Sequence, residues 1–343
     1  MQSTGSTVAS NSPRPDQARS KAPVFVLGCP RSGTTLLYHM LLSAGNFAIY
    51  RGESQVFNLL EPRFGDLKVL RNRRKLLAAW EGSALFTRTG LDAGQVEAEV
   101  MDNCLNAGDF LRIVMDAMAR KQGMERWADC TPEHLLFLQR IKETIPDALI
   151  VHIIRDGRDV ALSLGKQRWI RPFRWNRGSD LLVAALYWEW IVKRGREDGE
   201  KLGADYYEVR YEDLVADPTK TLAQLGTFLE QDLDYARITQ VGIGSVSEPN
   251  SSFRNEAEPG EFHPVARWKA ALSRDQLIDM ECLVGETLSE LGYPPVTTEL
   301  ARPNRTALMR MRTSYRAYFD SKRMLKTKTL LGRIFGTRDL SWV

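Results

Sequence analysis

The sequence is poor in the residues that mark redox or metal proteins. It has four cysteines and four histidines in 343 residues. Cys29, Cys104, Cys130 and Cys282 form no CxxC pair and no zinc-ligand spacing, which excludes a disulfide scaffold or zinc module and leaves reduced thiols as the reading. No apolar run approaches the ~20 residues of a membrane-spanning helix, so no transmembrane segment is expected. No period repeats, which argues against a solenoid. A general excess of positive charge is missing too. The net charge is +4, yet residues 301–343 hold eleven Lys/Arg against Asp320 and Asp339, leaving −5 on residues 1–300. Such a body is not a nucleic-acid binder. Residues 1–22 are polar and lack the apolar core of a signal peptide. They read as a disordered leader, and a cytoplasmic location is expected.

What is present is an ordinary globular composition, 43% hydrophobic and 26% charged. Val24–Leu27, Ala148–Ile154 and Tyr206–Tyr211 read as buried strands separated by helical patterns. That order predicts an α/β fold, a P-loop-type parallel sheet flanked by helices, over residues 23–300. Residues 301–343 form a basic amphipathic tail. Phe47–Tyr50 reads as a further short strand, and residues 55–125 as helices joined by Gly-containing turns. Ligands in such sheets bind past the strands' carboxyl ends.

The first strand runs into Gly28-Cys29-Pro30-Arg31-Ser32-Gly33-Thr34-Thr35 and then a helix. Gly28 and Gly33 have P-loop spacing, and the unpaired N–H groups of the helix start favour an anion. The cation is Arg31, inside the loop, where a Walker loop would instead follow its last glycine with lysine. Past the second strand comes Arg155-Asp156-Gly157-Arg158-Asp159, with Ser163 two helical turns along. Arg31 and Arg155 can share one cleft and hold a ligand with two separated phosphates. No magnesium partner is apparent, so no metal is expected, and arginines and backbone N–H groups would meet the charge.

Pro30-Arg31-Ser32-Gly33-Thr34-Thr35 together with Ile154-Arg155-Asp156-Gly157-Arg158-Asp159-Val160-Ala161-Leu162-Ser163 resembles the 5′- and 3′-phosphate motifs of the PAPS-dependent sulfotransferases, most of all the tyrosylprotein-sulfotransferase-like branch. The resemblance covers about 23–275. It implies the sulfotransferase fold, with 3′-phosphoadenosine-5′-phosphosulfate (PAPS) as sulfuryl donor. Arg31, Ser32, Gly33, Thr34 and Thr35 would cradle the 5′-phosphosulfate, Arg155 and Ser163 the 3′-phosphate, with Tyr211 and Arg267 also on the nucleotide. Glu53 would be the general base, Ser252 a donor to the transferring group, and the 253–266 segment a flap. His39, His134, His152 and His263 read as structural. One departure stands out: Cys130, in Trp127-Ala128-Asp129-Cys130-Thr131-Pro132, occupies the place of the family's lysine. Arg31, Thr131 or a basic residue of 168–177 could compensate.

The 168–177 loop interleaves Arg168, Arg171, Arg174 and Arg177 with Trp169, Phe173 and Trp175; it could close over an aromatic or acidic acceptor by stacking and charge, and the reading preferred is a solvated loop with its aromatics turned inward. The resemblance implies sulfuryl transfer by in-line displacement; a hydroxyl of a small molecule is the expected acceptor, favoured over peptide tyrosine because no membrane anchor or secretory signal is read in the sequence. The alternatives are a P-loop kinase-like phosphotransferase and a decayed nucleotide-binding module. The tail's apolar residues predict docking on protein, and a homodimer through that tail is one form of it.

Overall fold

The structure, a computed structural model, describes residues 19–244, 246, 264–297 and 305–329. Four parallel strands, β1 (Val24–Leu27), β2 (Ala128–Asp129), β3 (Leu149–Ile154) and β4 (Tyr206–Arg210), form a sheet in the order β2-β1-β3-β4. The helices before β2 are α1 (Thr34–Ser43), α2 (Glu61–Phe64), α3 (Leu70–Glu81), α4 (Ala84–Thr89), α5 (Gly94–Asn103) and α6 (Ala107–Gln122). After β2 come α7 (Leu138–Thr144), α8 (Gly157–Gln167), α9 (Asp180–Gly199), α10 (Tyr211–Ala216), α11 (Pro218–Leu229), α12 (Tyr235–Val241), α13 (Trp268–Ala271), α14 (Arg274–Glu290) and α15 (Arg305–Lys328). None of the described helices is long and apolar enough to cross a membrane.

Every residue of β1 and β3 is buried, as a parallel sheet covered on both faces requires. The period of two then divides the core. Phe25, Leu27, Ile150 and Ile154 face the helices from α3 to α9 with α14 and α15, whereas Val24, Val26, Val151 and Ile153 face α1, α11 and α12. Full burial of one such side chain is worth roughly 1.5–3 kcal/mol.

Four local expectations change. Ala128–Asp129 is an edge strand, registered on Val24 and Phe25, where no strand was expected. Phe47–Tyr50 is no strand; only an isolated bridge joins Phe47 to Arg126. Tyr211 opens α10 rather than ending β4. Arg19–Lys21, counted with the leader, form a 3₁₀ turn tied down by Arg19, which donates to the Phe228 and Ala204 carbonyls and to Asp205.

The basic tail supplies α15, whose Leu308, Met311, Tyr315 and Phe319 lie on one face and are buried in the same core as α9 and α14. Arg312 grips Glu189 through two hydrogen bonds of 3.0 and 2.7 Å, and the Thr287 hydroxyl donates to the same carboxylate at 2.7 Å. Trp190 and Arg194 both donate to Asp320. The apolar face expected to dock on protein does so on this chain's own body. Tyr318, Met324 and Leu325 of the same helix remain exposed.

Candidate active site

The loop after β1 is an anion cradle in its backbone. Arg31 has φ 77° and Gly33, at the N-cap of α1, has φ 97°. Both lie in the left-handed region, which costs a residue with a side chain about 1 kcal/mol or more. Glycine is required at 33 for a second reason: a Cβ there would lie 2.4 Å from the Tyr211 ring. No side chain caps α1, so its first N–H groups remain available to a ligand. Ser32 and Thr34 are buried and Thr35 is exposed.

The two predicted phosphate sites are joined directly. Arg31 Nε donates to Ser163 Oγ at 2.9 Å, and Arg155 Nη1 donates to the Arg31 carbonyl at 3.1 Å. The Arg155 guanidinium lies 4.3 Å from the centre of the Tyr211 ring. Arg31 is half-buried, and its pKa is lowered first by burial and then by the like charges of Arg155 and Arg267. Arg31 is therefore repelled by both other guanidinium groups, while the buried Asp159 carboxylate lies 3.8 Å from Arg155 and offsets part of the charge. Ser32 Oγ, Arg155 Nε and Tyr211 Oη are buried without a hydrogen-bond partner among the described residues. Unsatisfied polar atoms of this kind cost about 1–3 kcal/mol each. A polyanion fits these residues.

The rest of Arg155-Asp156-Gly157-Arg158-Asp159 secures that cleft. Asp156 caps α8 by accepting from Arg158 N, and Arg158 turns back onto Asp156 and reaches Glu281 at 2.9 Å. Trp268 lies under Arg158, 3.9 Å from its guanidinium, and donates to Asp156. Asp159 accepts Ala266 N and Trp268 N at 2.8 and 3.0 Å, gripping the backbone on either side of Arg267. Arg155 Nη2 adds a bond to the Pro264 carbonyl. Arg267 is thereby fixed beside Arg31 and Arg155. Ser252 and His263 lie outside the described residues, as does most of the 253–266 segment.

Glu53 belongs to a segment between α1 and the π-helical turn Val56–Leu60. It is exposed to solvent yet deep enough to lose hydration, which pushes its pKa up to about 7; Asp129 and Glu133 push the same way, while Arg88 and a hydrogen bond from Gln55 Nε2 oppose them. A base with a pKa near the operating pH is well matched to proton removal. Cys130 is buried, its thiol kept protonated by burial and by the nearby Asp129 and Glu53, and it hydrogen-bonds to the Thr34 side chain. The Thr131 hydroxyl, one of the groups expected to compensate at this position, donates to Asp129 and accepts from Gln55 N. Gln55 and Arg88 are additions that the sequence reading missed. Arg88 reaches this segment from α4 and has no local signal, whereas Gln55 is two residues from Glu53.

The 168–177 loop differs from expectation. Phe173 does turn inward, stacked on Tyr315 with centroids 4.5 Å apart and donating its N–H to the Tyr315 hydroxyl. Trp169 and Trp175, however, are 57% and 78% exposed, and Trp169 stands 5.9 Å from the Arg31 guanidinium. Four exposed arginines separate the rings, and only one ring finds a partner surface in α15.

A strand-to-helix anion loop, a second arginine site and a carboxylate poised near neutrality define an α/β protein with a cleft for an anionic ligand. The chain belongs to the Sulfotransferase family, whose sequence profile matches residues 23–235. Protein-tyrosine sulfotransferase A of Caenorhabditis elegans is 25% identical over 285 residues, spanning 81% of this chain and 68% of that protein. Human protein-tyrosine sulfotransferase 1 is 25% identical over 317 residues, spanning 89% and 79%. Among solved structures, the sulfotransferase domain of the Synechococcus PCC 7002 olefin synthase matches with a TM-score of 0.48 and 20% identity, covering 78% of this chain and 94% of that one.

Proposed function

We propose that this enzyme moves a sulfuryl group from PAPS to a hydroxyl of a small-molecule acceptor, with Glu53 as general base. The observation that carries the reading is the cluster of Arg31, Arg155 and Arg267 around buried, unsatisfied polar atoms, in a family of sulfotransferases. PAPS supplies an activated sulfuryl group carried on a phosphate leaving group. Arg31, Ser32 and the N–H groups from Gly33 to Thr35 would hold its 5′ side, Arg155 and Ser163 its 3′-phosphate, and Tyr211 and Arg267 the nucleotide. Glu53 takes the acceptor's proton on a carboxylate oxygen while the Gln55 amide steadies the other. Arg31, fixed by Ser163, offsets negative charge as it develops at the cradle.

A second reading, with a protein tyrosine as acceptor, is favoured by the names of the relatives. Incubating the protein with PAPS and either a panel of phenols and alcohols or a tyrosine peptide decides between them, scored by acceptor-dependent release of adenosine 3′,5′-bisphosphate. Turnover confined to the peptide overturns the small-molecule acceptor. Tight bisphosphate binding with no turnover on any acceptor marks a decayed binding module, and ATP consumption in place of PAPS marks a phosphotransferase.

A further inference from the structure

Behind Glu53 lies a buried polar group that the reaction does not touch. Asp129 ends the edge strand β2 and is fully buried. It accepts from Thr131 N and Thr131 Oγ1 at 3.2 Å each, from His134 Nδ1 at 2.9 Å, and from the Ser54 side chain. His134 is equally buried. Its Nε2 accepts the Phe57 N–H at 3.2 Å, so the ring's proton sits on Nδ1 and points at Asp129. The Phe57 ring packs edge-on against the imidazole, 5.1 Å between centroids. Thr131 Oγ1 accepts the Gln55 N–H at 3.4 Å.

Those two amides belong to a backbone that needs holding. Gln55 has φ 55°, in the left-handed region, and the turn that follows it is π-helical. Such conformations persist only where surrounding contacts over-determine them, and π turns cluster at functional sites. The side chains of the turn are aligned as well. Asn58 donates to Gln55 Oε1 at 2.5 Å and to Glu133 at 3.1 Å, and the Gln55 amide donates to Glu53.

We propose that Asp129 and His134 are a positioning pair for the general base: through Thr131 and the imidazole they hold the backbone of 55–57, and through it the Glu53 carboxylate, in working geometry. Neither residue touches substrate. The Asp129 charge has a second effect, because it faces Glu53 together with Glu133 from the 3₁₀ turn Pro132–Phe137, Arg88 from α4, and the Tyr50 and Cys130 side chains. Of these, Asp129 and Glu133 disfavour the Glu53 carboxylate and Arg88 favours it. This role rests on Glu53 being the base, so the test includes readouts that do not depend on turnover.

Asp129→Asn keeps the size and removes the charge. The expected results are faster amide hydrogen exchange at Gln55 and Phe57, and a Glu53 carboxyl that titrates below about 7 by ¹³C NMR. With PAPS and 2-naphthol as probe, kcat falls by about 10²-fold, the loss expected from a misplaced catalytic group, while bisphosphate affinity stays within twofold. A folded Asp129→Asn protein with wild-type exchange and wild-type Glu53 titration overturns the pair. Should that variant not fold, Thr131→Ser must retain protection at Gln55 and Thr131→Val must lose it; equal protection in both also overturns the proposal. Full activity in Glu53→Gln, with exchange at 55 and 57 still dependent on Asp129, would sink the base assignment and leave the anchor standing.

Discussion

Replacing Glu53 by Gln leaves the shape of the segment and removes one ionisable oxygen. The folded carboxyl has its pKa pushed to about 7 by burial, Asp129 and Glu133, against about 4.3 in an unfolded chain. Near pH 7 about half the molecules therefore carry the base form. Loss of a positioned general base costs typically 10²–10⁴-fold, which is about 3–5 kcal/mol of barrier. The acid limb of the wild-type rate profile is expected at about pH 7, rising with pH as the carboxylate forms, and it should be absent from whatever rate the variant retains. Stability moves the opposite way. The folded state prefers the protonated acid, so the wild type loses stability as pH rises from about 4.3 through about 7, and the uncharged glutamine does not. In a sealed site that difference would be worth about 3–4 kcal/mol. Glu53 is open to solvent, and screening leaves about 1 kcal/mol or less. Thus Glu53→Gln should melt slightly higher than wild type above pH 7 and equally below pH 4, bind adenosine 3′,5′-bisphosphate normally, and turn over at least a hundredfold more slowly. A variant with wild-type kcat and an intact acid limb refutes the assignment.

Other outcomes follow from the same geometry. Arg31→Ala removes the guanidinium group that Arg155 and Arg267 both repel; it should weaken bisphosphate binding by calorimetry by at least tenfold and reduce the salt dependence of that binding, because charge-assisted contacts are lost. Gly33→Ala should destabilise the fold by about 1–3 kcal/mol in urea and abolish binding, since its φ of 97° disfavours any side chain and the new methyl would strike Tyr211. Cys130→Lys should raise kcat by about tenfold or more by restoring a donor near the cleft, and move the acid limb below pH 7 by placing a cation beside Glu53. His152, buried in β3 with its pKa held at about 4 by loss of hydration, should make stability fall as pH drops from about 6.5 towards 4, by about 3 kcal/mol; a His152→Leu variant should lack that acid slope in melting experiments.

The parts legible in the sequence are those with a local pattern. Val24–Leu27 and Leu149–Ile154 are continuous apolar runs, and a strand buried on both faces has to be one. The β2 strand is two residues, Ala128 and Asp129, too short and too mixed to show a period. Arg31, Arg155 and Ser163 stand out because the loop and the Arg-Asp-Gly-Arg-Asp run carry them at fixed spacing, and the structure does bring them together. Arg88 joins the cleft only because α4 packs there, which no spacing reveals. His134 looked structural, and so it is in the sense that it touches backbone, but its partner Asp129 lies five residues away along a motif read only for its missing lysine. For the 168–177 loop, composition gave the right residue types and the wrong exposure for two of three rings, because Phe173 alone meets Tyr315.

The three arginines also bear on how long the protein lasts. Arg31 is held by the fold against the like charges of Arg155 and Arg267, with Asp159 offsetting part of that charge at 3.8 Å from Arg155, and a bound polyanion would offset more of it while satisfying Ser32, Arg155 and Tyr211. At a hundredfold excess over its dissociation constant, such a ligand adds about 2.7 kcal/mol of stability, roughly a hundredfold fewer unfolded molecules exposed to proteases. Supply of the anionic ligand would then set not only the rate of the enzyme but the number of enzyme molecules that survive.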